Sequence, residues 1–138
     1  MTIEPYLFFE GRCDEAIAFY REALDAEVLH LMRWSDSPED ASACPSGTVH
    51  PDKVMHATLR IGNTSVMVSD GMCSGTPQFN GVSLSITVDD DAQASHVFAA
   101  LGEGGKVVAS LEPTFFASSF GMVTDRFGVS WMVVTATT

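Results

Sequence analysis

Few side chains in this sequence could do chemistry, and His56, Asp70 and Tyr6 are the three whose placement suggests a site. Around Met55-His56-Ala57-Thr58-Leu59-Arg60, strand alternation puts His56, Thr58 and Arg60 on the face opposite Met55, Ala57 and Leu59. The apolar set belongs against helices, which turns His56 and Arg60 toward a cavity or its mouth. An imidazole there exchanges a proton near neutral pH, and a phenol or carboxylate beside it completes an acid–base group. Each candidate has a structural alternative. His56 can be held by backbone or a carboxylate, and Asp70, just before Gly71, can close a turn. Asp125, in Thr124-Asp-Arg-Phe-Gly128, faces the same choice between catalysis and bonding the amides of its own turn. His30, His50 and His96 read as surface or loop residues, and nothing fixes a geometry by which His50, Asp52 and His56 would share a metal. The sequence has no glycine-rich dinucleotide loop, no phosphate loop and no Gly-x-Ser-x-Gly elbow.

The elements that position these residues repeat. Tyr6-Leu-Phe-Phe9 reads as a strand, followed by an apolar helical stripe of Cys13, Ala16, Ile17, Tyr20, Ala23 and Leu24. Strands are predicted at 28–34, 54–61 and 64–69, with Gly62-Asn63 as a hairpin turn. The pattern then restarts. Val82, Leu84, Ile86 and Val88 alternate with polar residues, and Asp89 to Asp91 offer caps for a helix carrying Ala94, Val97, Phe98 and Leu101. Gly102-Glu-Gly-Gly105 stops that helix, and strands are predicted at 106–111, 118–124 and 130–135. The fold class is therefore α+β, one domain over 1–138 built of two βαβββ modules at about 1–75 and 78–138. An offset of 78 residues superimposes the two helices. Only the first module carries the acidic, proline-punctuated stretch 35–53, predicted as a long loop, disordered or a lid.

Composition excludes several function classes. Seven Lys and Arg against eighteen Asp and Glu give a net charge of −11, which repels nucleic acid and anionic membranes. No apolar run reaches the roughly 20 residues of a membrane span. The start, Met-Thr-Ile-Glu-Pro, lacks the pattern of a secretory leader, and three cysteines without a Cys-x-x-Cys pair fit a reducing compartment, so a cytoplasmic protein is expected.

Six motifs in order, Pro5-Tyr-Leu-x-Phe9, Glu15-Ala-x-x-Phe-Tyr20, Met55-His-Ala-x-Leu-Arg-Ile-Gly62, Ser69-Asp70, Gly104-Gly-Lys-Val107 and Phe120-Gly-Met-Val-Thr-Asp-Arg-Phe-Gly-Val-x-Trp131, resemble the PhnB-like branch of the vicinal oxygen chelate superfamily. That superfamily includes glyoxalase I, bleomycin-binding proteins and dioxygenases, and the branch carries the label 3-demethylubiquinone-9 3-methyltransferase-like. The resemblance implies two half-barrels. It also implies a divalent metal held by His, Glu or Gln on the first and last strand of each module. Carried onto this sequence those positions are Pro5, Val66, Ser83 and Met132, or after a one-residue slip Tyr6, Ser65, Leu84 and Trp131. Neither set suits an oxygen-activating ion, so no metal and no cofactor are expected. Methyl transfer is not expected either, because a methyl-donor site normally needs a doubly wound sheet with a glycine-rich first turn.

The expected function is binding of an unidentified small molecule in a cavity lined by Tyr6, His56, Arg60, Ser83, Phe116, Phe120 and Trp131, although the aromatic residues could equally be core. The alternative is a lyase, isomerase or dioxygenase with a rebuilt metal or acid–base site near His56, Asp70 and Tyr6. A homodimer is expected, since unpaired edge strands need cover.

Overall fold

The computed structural model describes residues 1–36, 51–71 and 73–136, and divides into two compact units, Met1–Gln78 and Phe79–Thr138. Most of the long loop predicted at 35–53 lies outside the described residues. Its two ends are joined by backbone bonds from Trp34 to Lys53 and from Ser35 to Pro51.

The first unit contains β1 (Tyr6–Phe8), α1 (Cys13–Leu24), β2 (Glu27–Arg33), a short 3₁₀ turn (Trp34–Asp36), β3 (Val54–Ile61) and β4 (Thr64–Ser69). Its sheet runs β1-β4-β3-β2, with β1 parallel to β4 and the remaining pairs antiparallel. The second unit repeats this plan with β5 (Ser83–Val88), α2 (Asp91–Gly102), β6 (Lys106–Glu112), β7 (Phe120–Thr124) and β8 (Ser130–Thr135), in sheet order β5-β8-β7-β6. Each unit is a four-stranded mixed sheet with one helix on one face, the α+β plan expected from the periodicity. The helix of the second unit ends differently from expectation. Its cap, Glu103, is extended, and the positive φ falls one residue later at Gly104.

Cross-strand pairs show which residues form each core. In the first unit Leu7 pairs with Val68, Val68 with Ala57 and Leu59 with Val66, and all of them are buried. Phe9 meets Tyr20 of α1 at a ring separation of 6.0 Å, so this is the helix-covered face. In the second unit a Cβ added to Gly121 would lie 2.6 Å from Phe98 of α2 and 3.0 Å from the Leu111 Cα, so only glycine lets the helix approach this closely. Gly121 pairs with Val133, and Val123, two residues on and thus on the same face, pairs with Trp131.

Trp131 is therefore core, only 3% exposed, and its indole N–H donates to Asp125 Oδ2 at 2.8 Å. The expectation that it lines a cavity is corrected, because strand parity turns it toward α2. Among the cysteines, Cys13 is a buried free thiol, and Cys73 is disulfide-bonded, a bond the cysteine count did not predict. No helix among the described residues is long and apolar enough to cross a membrane.

Burial separates two substitutions sharply. Trp131→Ala removes a large buried ring and should cost about 3–5 kcal/mol, whereas His96→Ala, on the exposed side of α2, should stay within about 0.5 kcal/mol. Urea midpoints of the two variants check this, and equal midpoints would contradict the placement of β8 in the core.

Candidate functional site

The faces turned away from the helices carry the chemistry. In the first unit one ladder crosses all four strands: Tyr6 pairs with Met67, Met67 with Thr58 and Thr58 with His30. His56, two residues from Thr58, shares this face and pairs with Met32 on β2. The face thus places a phenol, two imidazoles, a hydroxyl and two thioethers on neighbouring strands.

Two of these groups are joined. Tyr6 Oη lies 2.8 Å from His56 Nδ1, and His56 Nε2 lies 3.2 Å from Thr58 Oγ1. The chain of three groups can point either way. With Nδ1 accepting, Tyr6 donates to the ring and Nε2–H donates to Thr58; with the other tautomer, the phenol proton is free for a ligand. Phe8 stacks on Tyr6 at 4.9 Å, and the His30 and His56 rings lie 6.2 Å apart. Burial, and secondarily the neighbouring His30, hold His56 below the ordinary histidine value of 6.5. Burial pushes the Tyr6 phenol up, with the nearby Cys13 thiol adding to the shift. Both groups are therefore neutral at neutral pH. Arg60 is on the same face, exposed and ion-paired to Glu27.

Asp70 has a different task. It is fully buried, and its carboxylate accepts from the amides of Gly11 (2.9 Å), Cys13 (2.8 Å) and Val54 (2.7 Å). That arrangement is structural and removes Asp70 from the acid–base group expected with His56 and Tyr6. Asp125 is likewise buried, accepting from the amides of Phe127 and Val129 as well as from Trp131.

In the second unit the matching face carries Ser83, bonded through its hydroxyl to Ser130, together with Met132, Met122 and Phe120. Phe120 packs edge-on against Phe116 at 5.2 Å, and Phe116 meets the fully exposed Phe115 at 5.1 Å. His96 is exposed on α2, and His50 lies outside the described residues.

The four positions carried over from the resemblance divide by strand parity. Ser83 and Met132 lie on the face away from the helix, as expected. Val66 is only 5% exposed and faces α1, and Pro5 precedes β1 with the parity of Leu7 rather than of Tyr6. The alternative register fails in the other unit, where Leu84 pairs with the buried Trp131. The residues that do face away at the ends of β1, β4, β5 and β8 are a phenol, a thioether or hydroxyl, a serine and a methionine. None is an imidazole or carboxylate, so these residues do not fit the divalent metal of the superfamily. Among the described residues no three His, Cys, Asp or Glu side chains gather.

The fold stands beside those of known proteins. A family model described as 3-demethylubiquinone-9 3-methyltransferase matches residues 1–134. The chain belongs to this family. It is 38% identical to protein YjdN of Escherichia coli over 96% of this chain and 94% of that one. It superimposes on protein PA1353 of Pseudomonas aeruginosa with a TM-score of 0.83 at 41% identity, covering 98% of this chain and 97% of that one. A PhnB protein from Bacillus cereus gives a TM-score of 0.80 at 27% identity, over 99% of this chain and the whole of that one. At the level of fold alone, a glyoxylase/bleomycin resistance protein/dioxygenase domain from Frankia matches with a TM-score of 0.65 at 15% identity, over 98% and 94% of the two chains. The PhnB-like assignment and the glyoxalase-like fold read from the motifs both hold.

Sequence reasoning identified Tyr6 and His56 and missed His30 as their neighbour. The signal was available: His30 and Met32 alternate with Leu31, so the parity of β2 places both imidazole and thioether on one face.

The pH dependence of stability follows from His56. Its folded value lies below 6.5, so in the interval between the two values the unfolded chain holds a proton that the folded chain does not. Its contribution is full above about 6.5 and is lost as the pH falls through the lower folded value. Replacing His56 by Gln should flatten the fall in urea midpoint between neutral and mildly acidic pH. An unchanged slope would contradict this, with Tyr6 and His30 being the other titratable groups that face the ring.

Proposed function

We propose that the chain is a small-molecule-binding protein whose ligand contacts the face of the first sheet turned away from its helix. The observation that carries this reading is the Tyr6–His56 pair, a hydrogen-bonding group with a reversible direction, set among Phe8, Met67 and Met32. Thioethers on unbranched, polarizable side chains adapt to varied apolar shapes, and one reversible polar group among them supplies orientation. The face of the second unit, with Ser83, Met122, Met132 and Phe120, has the same composition of hydroxyl, thioether and ring. Such a face suits a largely apolar, uncharged molecule carrying a hydroxyl or carbonyl. The donors at the superfamily's customary metal positions do not support metal-assisted chemistry there. The family description names a methyltransferase, yet neither sheet among the described residues is doubly wound. Tyr6 and His56 would also be the reactive groups of a lyase or isomerase, but Asp70 no longer assists them.

Native mass spectrometry of untagged protein should reveal a co-purifying molecule. His56→Ala should weaken its binding at least tenfold, while His96→Ala leaves it unchanged. Equal retention by both variants would place the ligand elsewhere.

We also propose a homodimer. Within their own units β1 and β5 are edge strands, and exposed edges of this kind are commonly covered in native assemblies. Light scattering at micromolar concentration should give twice the chain mass of 14.8 kDa, and a single-chain mass would overturn the proposal.

A further inference from the structure

The geometry points to a copper(I) site on the open face of the first sheet, built from His30, His56 and the thioether of Met67. Thr58 is the centre of the arrangement. It pairs with His30 on one side and with Met67 on the other, so both donors stand beside it on the same face. Adjacent strands are about 4.8 Å apart, and an ion above Thr58 is within reach of an imidazole from β2 and a thioether from β4. The third donor comes along the strand. Tyr6 occupies His56 Nδ1 at 2.8 Å, which leaves Nε2 as the coordinating nitrogen, and Nε2 already points to the Thr58 hydroxyl at 3.2 Å.

The separation of the rings agrees. Two imidazoles sharing one ion at about 2.0–2.1 Å per nitrogen have centroids roughly 5 to 6 Å apart, and those of His30 and His56 lie at 6.2 Å. Binding displaces the Thr58 hydroxyl from His56 Nε2 and turns the His30 and Met67 side chains toward the ion. Tyr6 then takes the part of an outer-shell partner, accepting from Nδ1–H and fixing the ring's tautomer and orientation. A thioether with two imidazoles selects the ion. Imidazole alone suits zinc, nickel and copper alike, but a thioether is a soft donor and favours copper(I). Histidines must be neutral to ligate, and His56 is held below its ordinary value by burial and by His30. The chain's net charge of −11 adds a general attraction for cations.

This site uses the face assigned above to an organic ligand but does not rest on that assignment, since copper binding is measured with no organic molecule present. Untagged protein is titrated anaerobically with copper(I) under ascorbate, in competition with the chromophoric chelator bicinchoninate. One equivalent should bind. His30→Ala, His56→Ala and Met67→Leu should each weaken binding at least tenfold, His96→Ala should change it less than twofold, and zinc should bind more weakly than copper(I). Far-ultraviolet circular dichroism of each variant verifies the fold, and copper(I) broadening or shifting of the histidine ring signals in ¹H–¹⁵N spectra of the parent gives a second readout independent of mutation. Binding that survives both histidine substitutions, or ring signals unmoved by copper(I), would overturn the site. Loss on Met32→Leu instead of Met67→Leu would overturn the assignment of the thioether.

Discussion

The carboxylate of Asp70 ties the first unit together. A helix exposes unsatisfied amides at its start, and Arg12, the cap residue just before α1, makes no side-chain cap. Asp70 at the end of β4 accepts instead from Gly11 and Cys13, and its other oxygen accepts from Val54 at the start of β3. One side chain thus joins the helix start to two strands. A charged acceptor at a helix N-terminus also gains from the helix dipole, and removing it would strand three amide donors in a buried place. The position of β1 depends on this tie, because Glu10 and Gly11 must turn back from β1 to α1 under the carboxylate, both with positive φ.

The second unit solves the same problem locally. Asp90 caps its own helix by accepting from Gln93 N at 2.7 Å. Asp91, next along, accepts from the hydroxyls of Ser118 and Ser119, which hold its carboxyl below the usual range. The buried Asp125 serves the turn before β8 and the indole of Trp131. Two units of one topology are therefore fastened by different carboxylates. In the first, the fastening residue is supplied from β4, at a distance in sequence, which is why Asp70 resembles a site residue when read only as an aspartate near a histidine.

Much of the fold was legible because helix and strand periods are local. The stripe from Cys13 to Leu24 marks α1 to the residue, and the alternation from Val54 to Ile61 marks β3, because apolar spacing alone sets which side is buried. What failed was the transfer of parity between units. The offset of 78 that aligns the helices does not align the first strands: Leu7 has the buried parity of Ile86, an offset of 79. The link from β1 to α1 is longer than the link from β5 to α2, and a shift of one residue exchanges the two faces of a strand. Pro5 was consequently placed on the wrong face, and Val66 was misplaced by the turns: four residues past Gly128 lies the open-face Met132, whereas four past Gly62 lies the buried Val66. The Tyr6–His56 contact was not legible for a different reason. It depends on the register of β1 against β4 and of β4 against β3, and only the second of these is set by a short turn.

The duplicated plan also explains why chemistry could diverge between the two faces away from the helices. Stability in each unit comes from the helix-covered side, where Ala57, Leu59, Val66 and Val68 in one, and Val123, Trp131 and Val133 in the other, are buried. Residues on the opposite face share the same backbone ladder but contribute less to that core, so their side chains are constrained mainly by β-propensity and by whatever they contact. In the second unit that face is hydroxyl and thioether. In the first it carries two imidazoles on adjacent strands and a phenol on the edge strand. The strand spacing of the sheet then imposes the distances among them, and a set of donors within reach of one another follows without any residue being placed by a loop.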